Sequence, residues 1–111
     1  MTPEQIEALH LVGDHVLVER KMVPKTSAIL LPDGTNTPDL YTIHDKVLKF
    51  SPLAQKMLDD EKLELPKNPK PVFAAHMQPV AYVTQTKNED KSESAFIIVN
   101  YRHIVGYDLS S

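Results

Sequence analysis

Residues 96–107 read Phe96-Ile97-Ile98-Val99-Asn100-Tyr101-Arg102-His103-Ile104-Val105-Gly106-Tyr107. The opening run of four is apolar, β-branched or aromatic, and too short for a core helix. It is the strongest strand signal in the chain. Asn100 to His103 breaks it with polar and bulky residues and reads as a turn. Ile104 to Tyr107 then forms a terminal strand. Two strands in so short a span point to an all-β protein, and the rest of the chain is read outward from them.

Upstream, the residues between Lys87 and Ser94 are polar and make a turn between strands. Pro79 to Thr84 and Val72 to Ala75 are two further short strands. Near the front, His15-Val16-Leu17-Val18-Glu19-Arg20 is a strand that turns polar at its end, entered through a tight turn at Gly13-Asp14. Residues 40–50, LYTIHDKVLKF, resume extended character, with Val47, Leu48 and Phe50 as the expected inward set. Two helical turns interrupt this. Thr2-Pro3-Glu4-Gln5 carries an N-cap, a proline at the first helical position and the returning partner of a capping box. Ser51-Pro52 repeats the cap and proline, and Leu53, Met57 and Leu58 are expected on one face. The acidic run Asp59, Asp60, Glu61 and Glu64 opposes the helix dipole, and Pro66 ends the pattern. The sum is a small, irregular β-barrel of short strands.

One stretch resists this pattern. Residues 21–39, KMVPKTSAILLPDGTNTPD, contain Pro24, Pro32 and Pro38, none of which can donate a ladder hydrogen bond. The stretch has no helical or two-residue apolar period. A loop this long is uncommon inside a compact domain and is usually functional. Its apolar tripeptide Ile29-Leu30-Leu31 is best explained by a partner that buries it.

Composition removes several functional classes. At 111 residues the chain is expected to be one domain, spanning 1–111, with a modest core that self-association would help stabilise. There is no cysteine, so disulfides, thiolate zinc sites and cysteine nucleophiles are excluded, which fits a reducing compartment. The net charge is −3 and no basic block or aromatic-basic stripe stands out, so nucleic acid is a poor partner. No apolar run approaches membrane-spanning length and the first residues do not resemble a secretory signal, so a cytoplasmic protein without a membrane partner is expected. His10, His15, His44, His76 and His103 lack zinc-motif spacing, so no metal site is expected. No nucleophile motif surrounds Ser27 or Ser51, and no glycine-rich phosphate loop exists. The chain is therefore expected to have no catalytic residues, no enzyme activity and no cofactor of its own.

The order of parts is similar to that of a known family. Leu11-Val12-Gly13-Asp14-His15-Val16-Leu17-Val18 enters the first strand, a polar loop carries Ile29-Leu30-Leu31, and the chain closes on Phe96 to Tyr107 with Tyr101-Arg102-His103-Ile104 near its end. This layout, from about Leu9 to Tyr107, resembles the GroES-type co-chaperonins, most closely those of T-even-like bacteriophages. The resemblance implies a GroES-like barrel that assembles as a heptamer and caps a GroEL-type chaperonin. In the family the loop is mobile when free and orders on binding, and that contact falls here on Ile29, Leu30 and Leu31. Subunits pair through first and last strands, which here places Leu9, Leu11, Val12, Ile104, Val105 and Tyr107 at the interface. ATP would belong to the partner chaperonin, and a folding client, for a phage protein a capsid protein of its host-grown virus, would be enclosed. Two positions depart from the family. Ser27-Ala28 stand where paired glycines usually precede the tripeptide, and the region expected to form the roof hairpin, 51–70, looks partly helical. The alternative reading is a monomeric small β-barrel that binds peptide or nucleic acid.

Overall fold

The apolar run that opens residues 96–107 is buried on both of its faces. In the computed structural model, which describes residues 1–24, 41–89 and 92–110, it belongs to β5 (Glu93–Asn100), an inner strand of a four-stranded antiparallel sheet. Its neighbours are β1 (His15–Pro24) and β4 (Ala81–Lys87), and β2 (Tyr41–Phe50) lies beyond β1, giving the order β2-β1-β5-β4. A second, two-stranded ladder pairs β3 (Lys70–Phe73) with β6 (Ile104–Asp108). The chain is thus predominantly β, as the sequence pattern leads one to expect, and its ladders are antiparallel.

The two faces of the large sheet carry separate cores because strand side chains alternate. Val16 and Val18 of β1 meet Val99 and Ile97 of β5 on one face, where Val47, Ala54, Leu58, Ala95 and Tyr101 join them. Leu17 and Phe96 point to the other face and pack with Leu11. Burial on both sides explains why Val16-Leu17-Val18 and Ala95-Phe96-Ile97 are unbroken apolar runs rather than alternating ones.

The inward set expected on β2 divides between these cores. Val18 pairs with Val47, and Leu17 with Lys49, so Leu48 is an extra residue in the ladder. This bulge puts Val47 and Phe50, three positions apart, against the same core and sends Leu48 to the opposite one. A similar register shift lies between Tyr82 and Thr84 of β4, and Val83 packs on the Leu17 side.

Helix α1 (Pro3–Ala8) has the expected capping box, with Thr2 Oγ1 accepting from Gln5 N–H at 3.2 Å and Gln5 Oε1 accepting from Thr2 N–H at 2.9 Å. It lies over the Leu17 face through Ile6 and, just past its end, Leu9. Its last carbonyls are satisfied by the ammonium of Lys49 on β2, which donates to Ile6 O at 3.1 Å, Glu7 O at 2.9 Å and Leu9 O at 2.5 Å. Helix α2 (Pro52–Asp60) starts at Ser51 as expected. Its inward face is Ala54, Met57 and Leu58; Leu53 is half exposed, because the i, i+3, i+4 set that meets Val47 begins one residue later.

One expectation about architecture changes. Among the described residues the strands do not close into a barrel. Between β2 and β3 no continuous ladder forms; the Val47 N–H donates to Pro69 C=O at 2.9 Å instead. Among the described residues the strands run β4-β5-β1-β2, with the β3–β6 ladder joined to β2 through that bond. The region 51–70 is partly helical, as its sequence suggests: α2 is followed by turns with left-handed backbone at Lys62 and Asn68, and Lys70 opens β3.

Candidate functional site

The β1–β2 ladder is the most extended feature of the molecule. Its register runs unbroken from Val18–Val47 to Pro24–Tyr41, whereas β5 leaves β1 at Met22–Glu93. Beyond Met22, β1 is therefore paired on one side only among the described residues. That is where Pro24 sits, because a proline can join a ladder only where no second neighbour needs its missing N–H. Strand character accordingly extends through Lys21–Pro24, which the sequence reading assigned to the loop over 21–39.

Ion pairs brace this ribbon above the apolar core. Arg20 stands opposite Asp45 and donates two hydrogen bonds to its carboxylate, Nε to Oδ1 at 2.9 Å and Nη2 to Oδ2 at 3.1 Å. The hydrogen bond to Asp45 raises the guanidinium pKa, against the opposing effect of burial. On the other face Lys46 lies 3.7 Å from Glu19 across the ladder. Farther out, Met22 pairs with Ile43, and Ile43 is 51 % exposed, an apolar side chain with little of the chain's own core to cover it. The chain leaves the ribbon after Pro24 and returns at Tyr41. Ile29, Leu30 and Leu31 fall on the intervening residues and lie outside the described ones.

The six residues expected at a subunit interface do not share one environment. Leu11 is buried in the chain's own Leu17–Phe96 core, and Leu9 packs at its margin. Ile104 and Tyr107 pack against the other core. Val12 and Val105 are both 67 % exposed. Residues 9–12 are not in a strand; they run from the end of α1 to the Gly13-Asp14 turn, where Gly13 takes a φ of +63°. Among the described residues β6 is paired only with β3, and its other edge lies beside the residues that follow α2.

Along that side of β6 runs a groove of about 310 Å³ lined by residues 61–65 and 101–109. Leu63, Val105 and Leu109 expose apolar surface there. Glu61, Tyr101 and Tyr107 are among its lining residues. The Tyr107 hydroxyl is buried with no hydrogen-bond partner among the described residues. Burial pushes the Tyr107 phenol well above its ordinary pKa, with Tyr101 and Glu61 adding to the shift. Nothing local in the sequence signals that they meet, since Glu61 and the tyrosines come from distant segments.

Among the described residues no three His, Asp or Glu side chains converge as a metal site would require, and no helix is long and apolar enough to cross a membrane. His15 is engaged locally, its Nδ1 2.6 Å from Val12 O. No protein-family model, no curated protein and no solved structure matches the chain.

Proposed function

We propose that the chain is a co-chaperonin of the GroES type, which forms a ring, most simply a heptamer, and caps a GroEL-type chaperonin through Ile29, Leu30 and Leu31. The observation that carries the reading is the ribbon. β1 and β2 hold register to Pro24–Tyr41, past the last residue that β5 covers, so the segment bearing the tripeptide is joined to the body at the ribbon's far end. The bidentate Arg20–Asp45 pair stiffens the ribbon between that end and the core.

Energetics favour repetition of the contact. Burying three aliphatic side chains contributes at most about 5–9 kcal/mol. Ordering five backbone residues costs about 5–10 kcal/mol. One copy binds weakly, and copies linked in a ring bind at high effective concentration. Weak individual contacts also let the cap dissociate when the nucleotide state of the partner changes. The ATP is on the partner, the enclosed cargo is a folding client, and this chain contributes binding without catalysis. A cap of this kind works in the cytoplasm of a bacterium.

The test is to mix the purified protein with a bacterial chaperonin and nucleotide and to look for a co-migrating complex, with sedimentation reporting the assembly state of the protein alone. A nucleotide-dependent complex supports the reading. A monomer at micromolar concentration that never co-migrates overturns it.

A further inference from the structure

We propose that the sheet face carrying Met22, Ile43 and Tyr82 docks on an uncharged, apolar ridge of the chaperonin, as a second contact beside the tripeptide. The inference rests on the capping reading and deepens it. Register fixes the face. Val18 pairs with Val47 on one side and Ile97 on the other, and all three belong to the core that α2 joins. Two residues farther along β1, Arg20 pairs with Asp45 and Ala95; two farther again, Met22 pairs with Ile43. Side chains two apart on a strand share a face, so Met22 and Ile43 continue the Val18 face past its core. Tyr82 and Gln85 of β4 stand opposite Ile97 and Ala95 and extend the face sideways. A depression of about 230 Å³ lies on it, lined by Arg20, Met22, Pro79, Tyr82, Ala95 and Ile97, with Gln85 as its uncharged polar group.

Charge and order decide what this face takes. Arg20 is closed on Asp45 by two hydrogen bonds, so the charges at the depression cancel and favour neither an acidic nor a basic partner group. The apolar surface is accessible: Tyr82 is 66 % exposed and Ile43 about half. The opposite face of the ribbon differs, presenting Glu19, Lys21, His44 and Lys46. Burial of the tripeptide is offset by the cost of ordering the backbone that bears it. Met22, Ile43 and Tyr82 already stand on paired strands, so burying them adds hydrophobic free energy with little further loss of backbone entropy. Ile29 follows Pro24 by five residues, which span at most about 18 Å, so one partner surface can meet both contacts.

The experiment measures the affinity of the nucleotide-dependent complex with a bacterial chaperonin for the full chain and for Ile43→Ser, Tyr82→Ser and His44→Ser. Each variant is checked for parental melting temperature and sedimentation; both apolar side chains are half exposed or more, so the fold should stand. Ile43→Ser and Tyr82→Ser should each weaken binding by about fivefold or more, because the loss is repeated in every copy. His44→Ser, on the opposite face, should bind as the parent does. The methyl signals of Met22 and Ile43 should shift when the parent forms the complex, a readout that needs no substitution. If the parent binds and both apolar variants match it, or if the methyl signals stay in place, the docking face is overturned and the capping reading stands. Equal weakening by His44→Ser overturns it as well, since the effect then belongs to the whole ribbon. If the parent forms no complex, both readings fall.

Discussion

Arg20 and Asp45 face each other across the β1–β2 ladder and are joined by two hydrogen bonds, at 2.9 and 3.1 Å. The pair sits where the apolar core ends and the projecting ribbon begins. Its side chains are mostly covered, so solvent screens it less than an ordinary surface pair. Asp45→Asn keeps the shape and removes the charge. It should lower stability by about 1–2 kcal/mol in urea unfolding, a bidentate pair being stronger than a simple one. Hydrogen exchange should accelerate more at Lys21 to Val23 than at Val16 to Val18. Uniform acceleration along β1 would count against a local bracing role.

Lys49 supplies from β2 the cation that α1 lacks in its own last turn. Lys49→Met retains much of the stem and removes the donor. A loss of about 1 kcal/mol is expected, the scale of a charge at a helix C-terminus. The Leu9 amide should exchange faster, since it bonds back to Gln5 and Ile6 carbonyls in the same turn. An unchanged Leu9 amide would show that α1 does not depend on this contact.

Ser51 is fully buried and has two roles. Its Oγ accepts from Ala54 N–H at 3.0 Å, capping α2, and donates to Gly13 O at 2.6 Å. Ser51→Ala should cost about 1–3 kcal/mol, combining a lost cap with an unsatisfied carbonyl. Thermal unfolding measures it; a change within error would mean that water replaces both bonds.

Tyr107 should make stability fall in alkali. Its phenol pKa is raised in the fold, chiefly by burial, while the unfolded chain titrates near the ordinary value of about 10. The contribution is complete below pH ~10 and is lost as pH rises from there towards the folded pKa, because the folded state binds the proton more tightly. Tyr107→Phe should flatten the decline in melting temperature above pH ~10 relative to the parent. A parallel decline in both proteins would assign the effect to other groups.

Leu30→Asp tests the proposed contact with the chaperonin. The variant should lose co-migration with the partner and keep the assembly state of the parent in sedimentation. Binding at parental strength would remove the tripeptide from the contact.

Local motifs were legible in the chain, and they are correct in detail. Thr2-Pro3-Gln5 and Ser51-Pro52 act over three or four residues, so each helix start can be read without knowing what surrounds it. Gly13-Asp14 likewise makes the turn into β1. The long helix face was misread by one position because propensity places Leu53 inward as readily as Ala54, and only contact with Val47 and its neighbours decides between them. The groove was illegible for the same reason. Glu61 and Tyr107 come to line one groove only once β6 is in place.

The sequence by itself determined most of the strand segments, the all-β character, the caps of both helices and the placement of Ile29-Leu30-Leu31 between two strand segments. These follow from side-chain size, φ restriction and hydrogen-bond valence within a few residues of chain. Only the tertiary structure decided which core each apolar residue serves, that Leu48 bulges, that Lys49 closes α1, and that no continuous ladder joins β2 to β3 among the described residues. Those outcomes depend on pairings between distant residues. Such a pairing is selected by the packing and hydrogen bonding of the whole sheet, which no local stretch of sequence encodes.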